Sequence, residues 1–479
     1  MTGQTAGHPE EAPTHVPSHV PTQAVGHVPG NVATHVSALC TDLYEIRMAV
    51  SYLRHDMHGL ATFSLFARHL PATRGFLVAA GLDDCLTLLE GFRFGQSDLH
   101  YLRHAVGLTE EDLDALARIK FTGDVWAVPE GRVVFGDEPF LEVTAPIAEA
   151  QLVETALLNL ITFETSVTTK AVRCRLAAPD AELVEFGARR VHGLGAAMSV
   201  ARCCTLAGFT GTSYVAAAHR YGLRPVGTIA HSYVEAFGDE RTAFRTFARD
   251  FPAASVFLVD TYDTLAGVRT AIEVAQELGL AHGAIGVRLD SGDLADLSKR
   301  TRQLLDAAGL PKARIMASGG LDEYALAALT AAQAPIDMYG VGTKVGVSAD
   351  APSLNSAYKL VDYDGRPVIK TSEGKATLPG AKQVYRGEPG TPDLLALRDE
   401  TPPPDREPLL VPVMSRGERL DPEEDLATAR RRLLEDLAWL PESAKRITDP
   451  TPVPVHISAA LRLLTNQVRE DLAAHQFVR

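Results

Sequence analysis

Six short apolar runs lie between residues 182 and 343, and each closes on a polar or glycine-containing cluster. They are ELVEFGARR (182–190), RPVGTIAHS (224–232), ASVFLVDTYD (254–263), AIGVRLDSGD (284–293), ARIMASGG (313–320) and IDMYGVGT (336–343). Continuous apolar runs bounded by turn residues read as strands buried on both faces, the pattern of a parallel sheet. Between them, TLAGVRTAIEVAQELG (264–279) and LADLSKRTRQLLDAAG (294–309) carry apolar residues at helical spacing and stop at a glycine. Strand then helix, repeated, predicts parallel strands with crossover helices, either as a barrel or as an open doubly wound sheet. Both architectures bind ligands at the C-terminal strand ends. That rim gathers Arg189, His231, Asp260, Arg288, Asp290, Asp293, Ser318, Gly319, Gly320, Gly342 and Thr343.

The flanks read differently. Folding is expected to begin near Leu39, where CTDLYEIRMAVSYLRHDM pairs a Thr/Asp cap signal with helical periodicity. FSLFARHL (63–70) and GFLVAAGL (75–82) read as a strand pair or a strand and loop, and VWAVPEGRVVFGDEPFLEVTAP (125–146) as short strands broken by PEG and GDEP turns. Strand-like pieces return after Thr343, in AYKLVDYDGRPVIKTS (357–372) and AKQVYR (381–386), while 387–410 is Pro-rich and charged and reads as a surface excursion. The expected division is a Pro/His-rich mobile tail over 1–36, a discontinuous β-rich domain over 37–146 plus 350–410, the βα repeat over 147–349, and a helical C-terminal segment over 411–479.

Composition narrows the function. A formal charge of −14 argues against nucleic acid or an anionic membrane as the main partner, because a phosphate backbone must be met by clustered Lys and Arg. A small anion in a local cationic pocket stays compatible with it. The five cysteines are scattered without a CxxC pair, which fits a reducing cytoplasm. No apolar run approaches the roughly 20 residues a membrane helix needs, and no signal-peptide core is present.

The rim clusters suggest their own chemistry. His231 follows PVGTIA directly, and a histidine at a strand end serves as acid, base, metal ligand or nucleophile toward phosphorus. GVRLDSGD sets Arg288 beside Asp290 and Asp293, a combination suited to Mg2+ and anionic oxygen together, although Asp290 or Asp293 could equally cap the helix that follows. ASGG and GVGT place glycines where backbone N–H groups can approach an anion. Arg189, and Lys170 in the helical TTKAVRCR, are further cations for phosphate or diphosphate. GxxxxGK[ST], GxSxG and HExxH are all absent, which disfavours a Walker nucleotide site and a serine or zinc hydrolase.

Taken in order, TDLYEIRMA (41–49), FARHLPATRGFLVAAGL (66–82), the stretch from Lys170 through FGARRVHG (186–193), GTIAHS (227–232), LVDTYDT (258–264), GVRLDSGDL (286–294), ASGGLDE (317–323) and GVGTKV (340–345) resemble nicotinate phosphoribosyltransferases over about residues 39–390. The resemblance implies a type II phosphoribosyltransferase: an irregular parallel α/β barrel with a second, discontinuous β-rich domain, a homodimer, and a site shared across the subunit interface. It implies nicotinate and 5-phosphoribosyl 1-diphosphate as substrates, ATP as co-substrate, Mg2+ as cofactor, and a place in NAD biosynthesis. By the same matching, His231 is the phosphorylated histidine, Tyr44, Thr228 and Arg288 fall at nicotinate positions, and Thr343 falls at the phosphoribosyl diphosphate site. Motif context and charge add Asp260 and Asp290 as catalytic groups, Asp290 and Asp293 as metal ligands, and Lys170, Arg189, Ser318, Gly319, Gly320 and Gly342 as substrate contacts.

Three alternatives stand beside this reading. One is a sister activity on nicotinamide or quinolinate. Another is a different phosphosugar barrel enzyme, for which the glycine turns would suffice. The third is a non-catalytic metabolite sensor that kept the scaffold.

Overall fold

The expected parallel sheet is present, and its neighbour is built from both ends of the chain. The computed structural model describes residues 37–253, 255–280, 285–372 and 375–476, so the 1–36 tail lies outside the described residues. The parallel sheet has five strands, ordered Glu182–Glu185, Met338–Val341, Arg314–Ala317, Ile285–Leu289 and Ser255–Leu258. Thr264–Glu277, Leu294–Ala307 and Glu323–Ala331 are the crossover helices. Each starts on an aspartate (Asp263, Asp293, Asp322) whose side chain accepts a backbone N–H of the first turn.

One of the six predicted strands does not form. In 224–232 only Pro225 pairs, in a single parallel bridge to Thr212, which in turn bridges Glu185. The remainder runs irregularly into the helix His231–Phe237. Gly227 and Pro225 account for this, because one weakens a strand and the other lacks the N–H a ladder requires. The two bridges extend the sheet past the Glu182 edge, but among the described residues nothing pairs that extension with Ser255–Leu258.

A seven-stranded antiparallel sheet runs in the order Arg366–Pro367, Ser356–Tyr363, Leu60–Ala67, Pro139–Pro146, Asp124–Ala127, Val411–Ser415 and Glu418–Arg419. Leu77–Val78 pairs with Val133–Val134 rather than with Leu60–Ala67, so the two candidate strands in 63–82 do not form a hairpin. The supposed surface excursion at 387–410 contributes Asp393–Leu397 and Glu407–Pro408 to a four-stranded sheet with Lys382–Arg386 and Val455–Ile457. Its DLLAL run buries Asp393, Leu395 and Ala396, a strand signal hidden among prolines and charges. The C-terminal segment adds strand Val411–Ser415 to the large sheet besides its expected helices Leu426–Trp439 and Ala459–Gln476.

Two apolar cores result, one around the parallel sheet and one around the antiparallel sheet. The 24-residue helix Glu154–Ala177 serves both, giving Leu157 and Ile161 to the second core and Val167, Val172 and Cys174 to the first. All five cysteines are free, and no helix among the described residues is long and apolar enough to cross a membrane.

Candidate functional site

At the C-terminal edge of the parallel sheet lies a cleft of about 390 Å³, lined by Phe186, Arg189, Arg190, Thr228, Arg288, Asp290, Ser318, Gly319, Gly320, Gly342 and Thr343 among others. Five parallel strand ends and the loop before His231 therefore meet in one place, as the apolar-run pattern predicts.

Arg288 organises the cleft. It ends the buried strand Ile285–Leu289, whose alternation turns its side chain toward the rim. Its Nε donates to Ser318 Oγ at 2.7 Å, its Nη1 to Thr228 Oγ1 at 3.1 Å and its Nη2 to Asp290 Oδ1 at 2.7 Å. The guanidinium carbon stands 5.5 Å from the centre of the Phe186 ring, close enough for cation–π attraction. A guanidinium has five N–H donors, so three bonds to the protein leave two for a ligand.

Asp290 is fixed in turn. Its backbone N donates to Asp260 Oδ2 at 3.0 Å, and the Ser318 hydroxyl donates to its Oδ1. Burial works to raise its carboxyl, but the Ser318 hydroxyl, the Arg288 guanidinium and nearby His231 outweigh it and hold the group below the usual carboxylate range. Asp260 also accepts from Ser291 Oγ at 2.6 Å, while its Oδ1 is buried without a hydrogen-bond partner.

Three glycines are sterically required. At Gly319, φ is +90°, and an added Cβ would sit 2.0 Å from the Asp290 carbonyl oxygen. A Cβ on Gly342 would lie 2.6 Å from the Phe186 carbonyl oxygen, and one on Gly340 would lie 2.7 Å from the Phe186 ring. The strand-end turns thus pack directly against one another, which brings their backbone to the cleft wall.

His231 opens the helix His231–Phe237 beside the cleft. Its Nδ1 lies 3.2 Å from Thr261 Oγ1, which leaves Nε2 as the ring nitrogen without a described partner. Arg189 and Arg190 form a short 3-10 turn (Ala188–Arg190) at the mouth, exposed, and neither makes an ion pair among the described residues. Two residues that the sequence reading passed over shape this wall. Phe186 underlies Arg288, and buried Glu185 accepts from Thr212 Oγ1 at 2.6 Å and from Gly187 N, pinning the turn that carries Phe186. Phe186 follows an apolar strand directly and precedes the arginines, which was the available signal.

Three expected site residues stand elsewhere. Lys170 is 1% exposed and pairs with Glu323 at 2.6 Å and Asp350 at 3.0 Å; a fully buried ammonium must be neutralised internally, so it is not a ligand of the cleft. Asp293 caps Leu294–Ala307, its Oδ1 accepting from Ala295 N and Asp296 N, and does not line the cleft. Its capping role prevails over its role as a metal ligand beside Asp290. Tyr44 lies on helix Leu43–Arg54, 47% exposed, and is not a wall of its own chain's cleft.

A mixed α/β enzyme that handles an anionic, phosphate-bearing substrate at parallel strand ends is the class this fold and cleft define. The chain matches the nicotinate phosphoribosyltransferase N-terminal domain over residues 39–162, the nicotinate phosphoribosyltransferase family over 181–383 and the corresponding C-terminal domain over 397–465. It is 51% identical to nicotinate phosphoribosyltransferase pncB2 of Mycobacterium tuberculosis, across 81% of this chain and 84% of that one. It is 44% identical to the nicotinate phosphoribosyltransferase of Bacillus subtilis, across 76% of each. The crystal structure of human nicotinic acid phosphoribosyltransferase superimposes with a TM-score of 0.79 at 29% identity, covering 89% of this chain and 99% of that one. The chain belongs to the nicotinate phosphoribosyltransferase family and is an enzyme of NAD biosynthesis.

Proposed function

We propose that the cleft joins nicotinate to 5-phosphoribosyl 1-diphosphate, releasing diphosphate and forming nicotinate mononucleotide, with ATP consumed through phosphorylation of His231. The observation that carries this is the Arg288 arrangement: a strand-end guanidinium, held on three sides by Thr228, Ser318 and Asp290, with two donors left over and an aromatic face below it. Two parallel N–H groups match the two oxygens of a carboxylate, which favours nicotinate over nicotinamide. Phe186 gives the pyridine ring an apolar wall.

In the reaction the bond from the anomeric carbon to diphosphate breaks, and the electron pair leaves with the diphosphate. The ring nitrogen lone pair makes the new carbon–nitrogen bond, so no proton has to move. Catalysis is then a matter of position and of charge on the leaving group. Arg189 and Arg190, without partners in the chain, and the backbone of the 318–320 and 342–343 turns are the groups available to the phosphates. Transfer of the ATP phosphoryl group to His231 uses Nε2, since Nδ1 faces Thr261, and water later releases it as phosphate.

Mg2+ fits these residues in a limited way. The partnerless Asp260 Oδ1 beside Asp290 is a hard oxygen donor, and no group of three or more His, Cys, Asp or Glu side chains among the described residues forms a metal cage. Such a site suits an ion held by one or two carboxylates and by the substrate's phosphates. Bound there, the ion would supply positive charge to the departing diphosphate.

The finer architecture belongs to the same proposal. The parallel sheet and its two bridges form an irregular barrel, the chain works in the cytoplasm as a homodimer on small molecules alone, and Tyr44 serves the partner's cleft. Tyr44, Leu43 and Met48 are exposed together on one helix, which supports burial of that face in a dimer.

The test is formation of nicotinate mononucleotide from nicotinate, phosphoribosyl diphosphate and Mg2+, with and without ATP, alongside nicotinamide and quinolinate as competitors. Labelling by γ-32P ATP is expected in the native enzyme and absent from His231→Ala. Preference for nicotinamide would refute the substrate assignment, and undiminished labelling of His231→Ala would refute the phosphohistidine.

A further inference from the structure

The two glycine turns at the cleft wall come from different strands, and an ion pair ties them together. The 318–320 turn follows strand Arg314–Ala317 and leads into helix Glu323–Ala331, and Gly342 and Thr343 follow strand Met338–Val341. Lys344 Nζ reaches across to Asp322 Oδ2 at 2.7 Å. Asp322 is 13% exposed at its side chain and its Oδ1 caps the helix by accepting from Ala325 N at 2.9 Å, so its carboxylate is fixed at both oxygens. Neither Lys344 nor Asp322 lines the cleft.

We infer that Lys344 and Asp322 are positioning residues for the phosphorylated sugar: the pair sets the gap between the two turns and neutralises a carboxylate two residues from Gly320. The inference rests on the proposed reaction and identifies which of its substrates the pair serves. Two physical effects act in the same direction. A lysine clamp on a short, four-residue helix (Thr343–Gly346) restrains the 342–343 turn, which has few other polar ties to its neighbour. Removing the ammonium also leaves Asp322 unpaired beside an anion site, and a like charge near a diphosphate opposes binding. A surface ion pair this exposed adds little to global stability, so the effect belongs to binding and not to folding.

The experiment uses the full chain with Mg2+ and ATP, and compares native enzyme, Lys344→Met, Lys344→Arg and Lys344→Met/Asp322→Asn. Asparagine keeps the helix cap while removing the charge. Lys344→Met is expected to raise KM for phosphoribosyl diphosphate about tenfold, with KM for nicotinate and kcat within about twofold. Lys344→Arg should restore most of the loss, and the double variant should recover the electrostatic part. An unchanged KM for phosphoribosyl diphosphate in Lys344→Met, or a parallel rise in both KM values with a lowered thermal midpoint, overturns the clamp while native turnover upholds the reaction. A native enzyme that forms no nicotinate mononucleotide overturns the reaction, and the clamp with it.

Discussion

Replacing Arg288 with lysine keeps the charge and removes the fork. The guanidinium holds Ser318, Thr228 and Asp290 simultaneously and retains two donors for a ligand. An ammonium at the end of a lysine chain is a single point that cannot span three partners lying in different directions. If two of the three bonds are lost, each a charge-assisted bond of about 1.5 kcal/mol, the deficit is about 3 kcal/mol. At roughly 1.4 kcal/mol per decade this is on the order of a hundredfold in kcat/KM. Much of it should appear in KM for nicotinate, because the planar pair of donors facing the carboxylate is lost as well. The assay is steady-state formation of nicotinate mononucleotide with each substrate varied in turn, with a thermal melt to confirm that the variant is folded. A lysine variant within about threefold of native kcat/KM would show that the three-way hold on Arg288 does not prepare the site.

Gly319→Ala should cost about 1–2 kcal/mol for placing a side chain at positive φ, and more as the new Cβ displaces the Asp290 carbonyl 2.0 Å away. A lowered thermal midpoint together with at least about tenfold weaker kcat/KM is expected, and native values for both would refute the packing argument. Glu138 gives a pH signature in the fold itself. Burial, with Asp393 beside it, pushes its carboxyl well above the usual range, while Phe135 N donates to its Oε2 at 2.7 Å. The folded chain therefore holds a proton that the unfolded chain releases above about pH 4. The resulting stability is complete in acid and declines as pH rises through the folded value. Glu138→Gln, which mimics the protonated form, should flatten that decline in a melting series from pH 5 to pH 9; an unaltered slope would refute it.

The sequence carried the parallel repeat well, because buried parallel strands are apolar throughout and end abruptly in polar turns. Arg288, Asp290, Ser318, Gly319, Gly320, Gly342, Thr343, Thr228 and Arg189 all reach one cleft from six separate segments. The failures have separate causes. Strand 224–232 looked apolar enough, but pairing depends on backbone donors that Pro225 lacks and Gly227 does not stabilise. Asp393–Leu397 was hidden by its polar neighbours, since one strand of four or five residues leaves little periodic signal. Asp293 was open to both readings, and only the hydrogen bonds to Ala295 N and Asp296 N decide that it caps a helix.

The distribution of charge explains how a chain of net charge −14 can accept a polyanion. Sequence cannot distinguish a cation for the substrate from a cation for the fold, because both are simply Lys or Arg near a glycine. Burial makes the distinction. Lys170 and Arg173 are buried and share Glu323, Arg74 pairs with Asp350, and Arg202 with Glu130, so each of these cations is spent inside the molecule. Arg189 and Arg190 face solvent at the cleft mouth without such a partner. The acidic excess is screened over a distance of about 8 Å at physiological ionic strength, so what an incoming diphosphate meets at the mouth is set by the nearest unpaired groups and not by the net charge. An acidic surface is thus compatible with anion binding wherever internal pairing leaves a few arginines uncommitted at a concave edge.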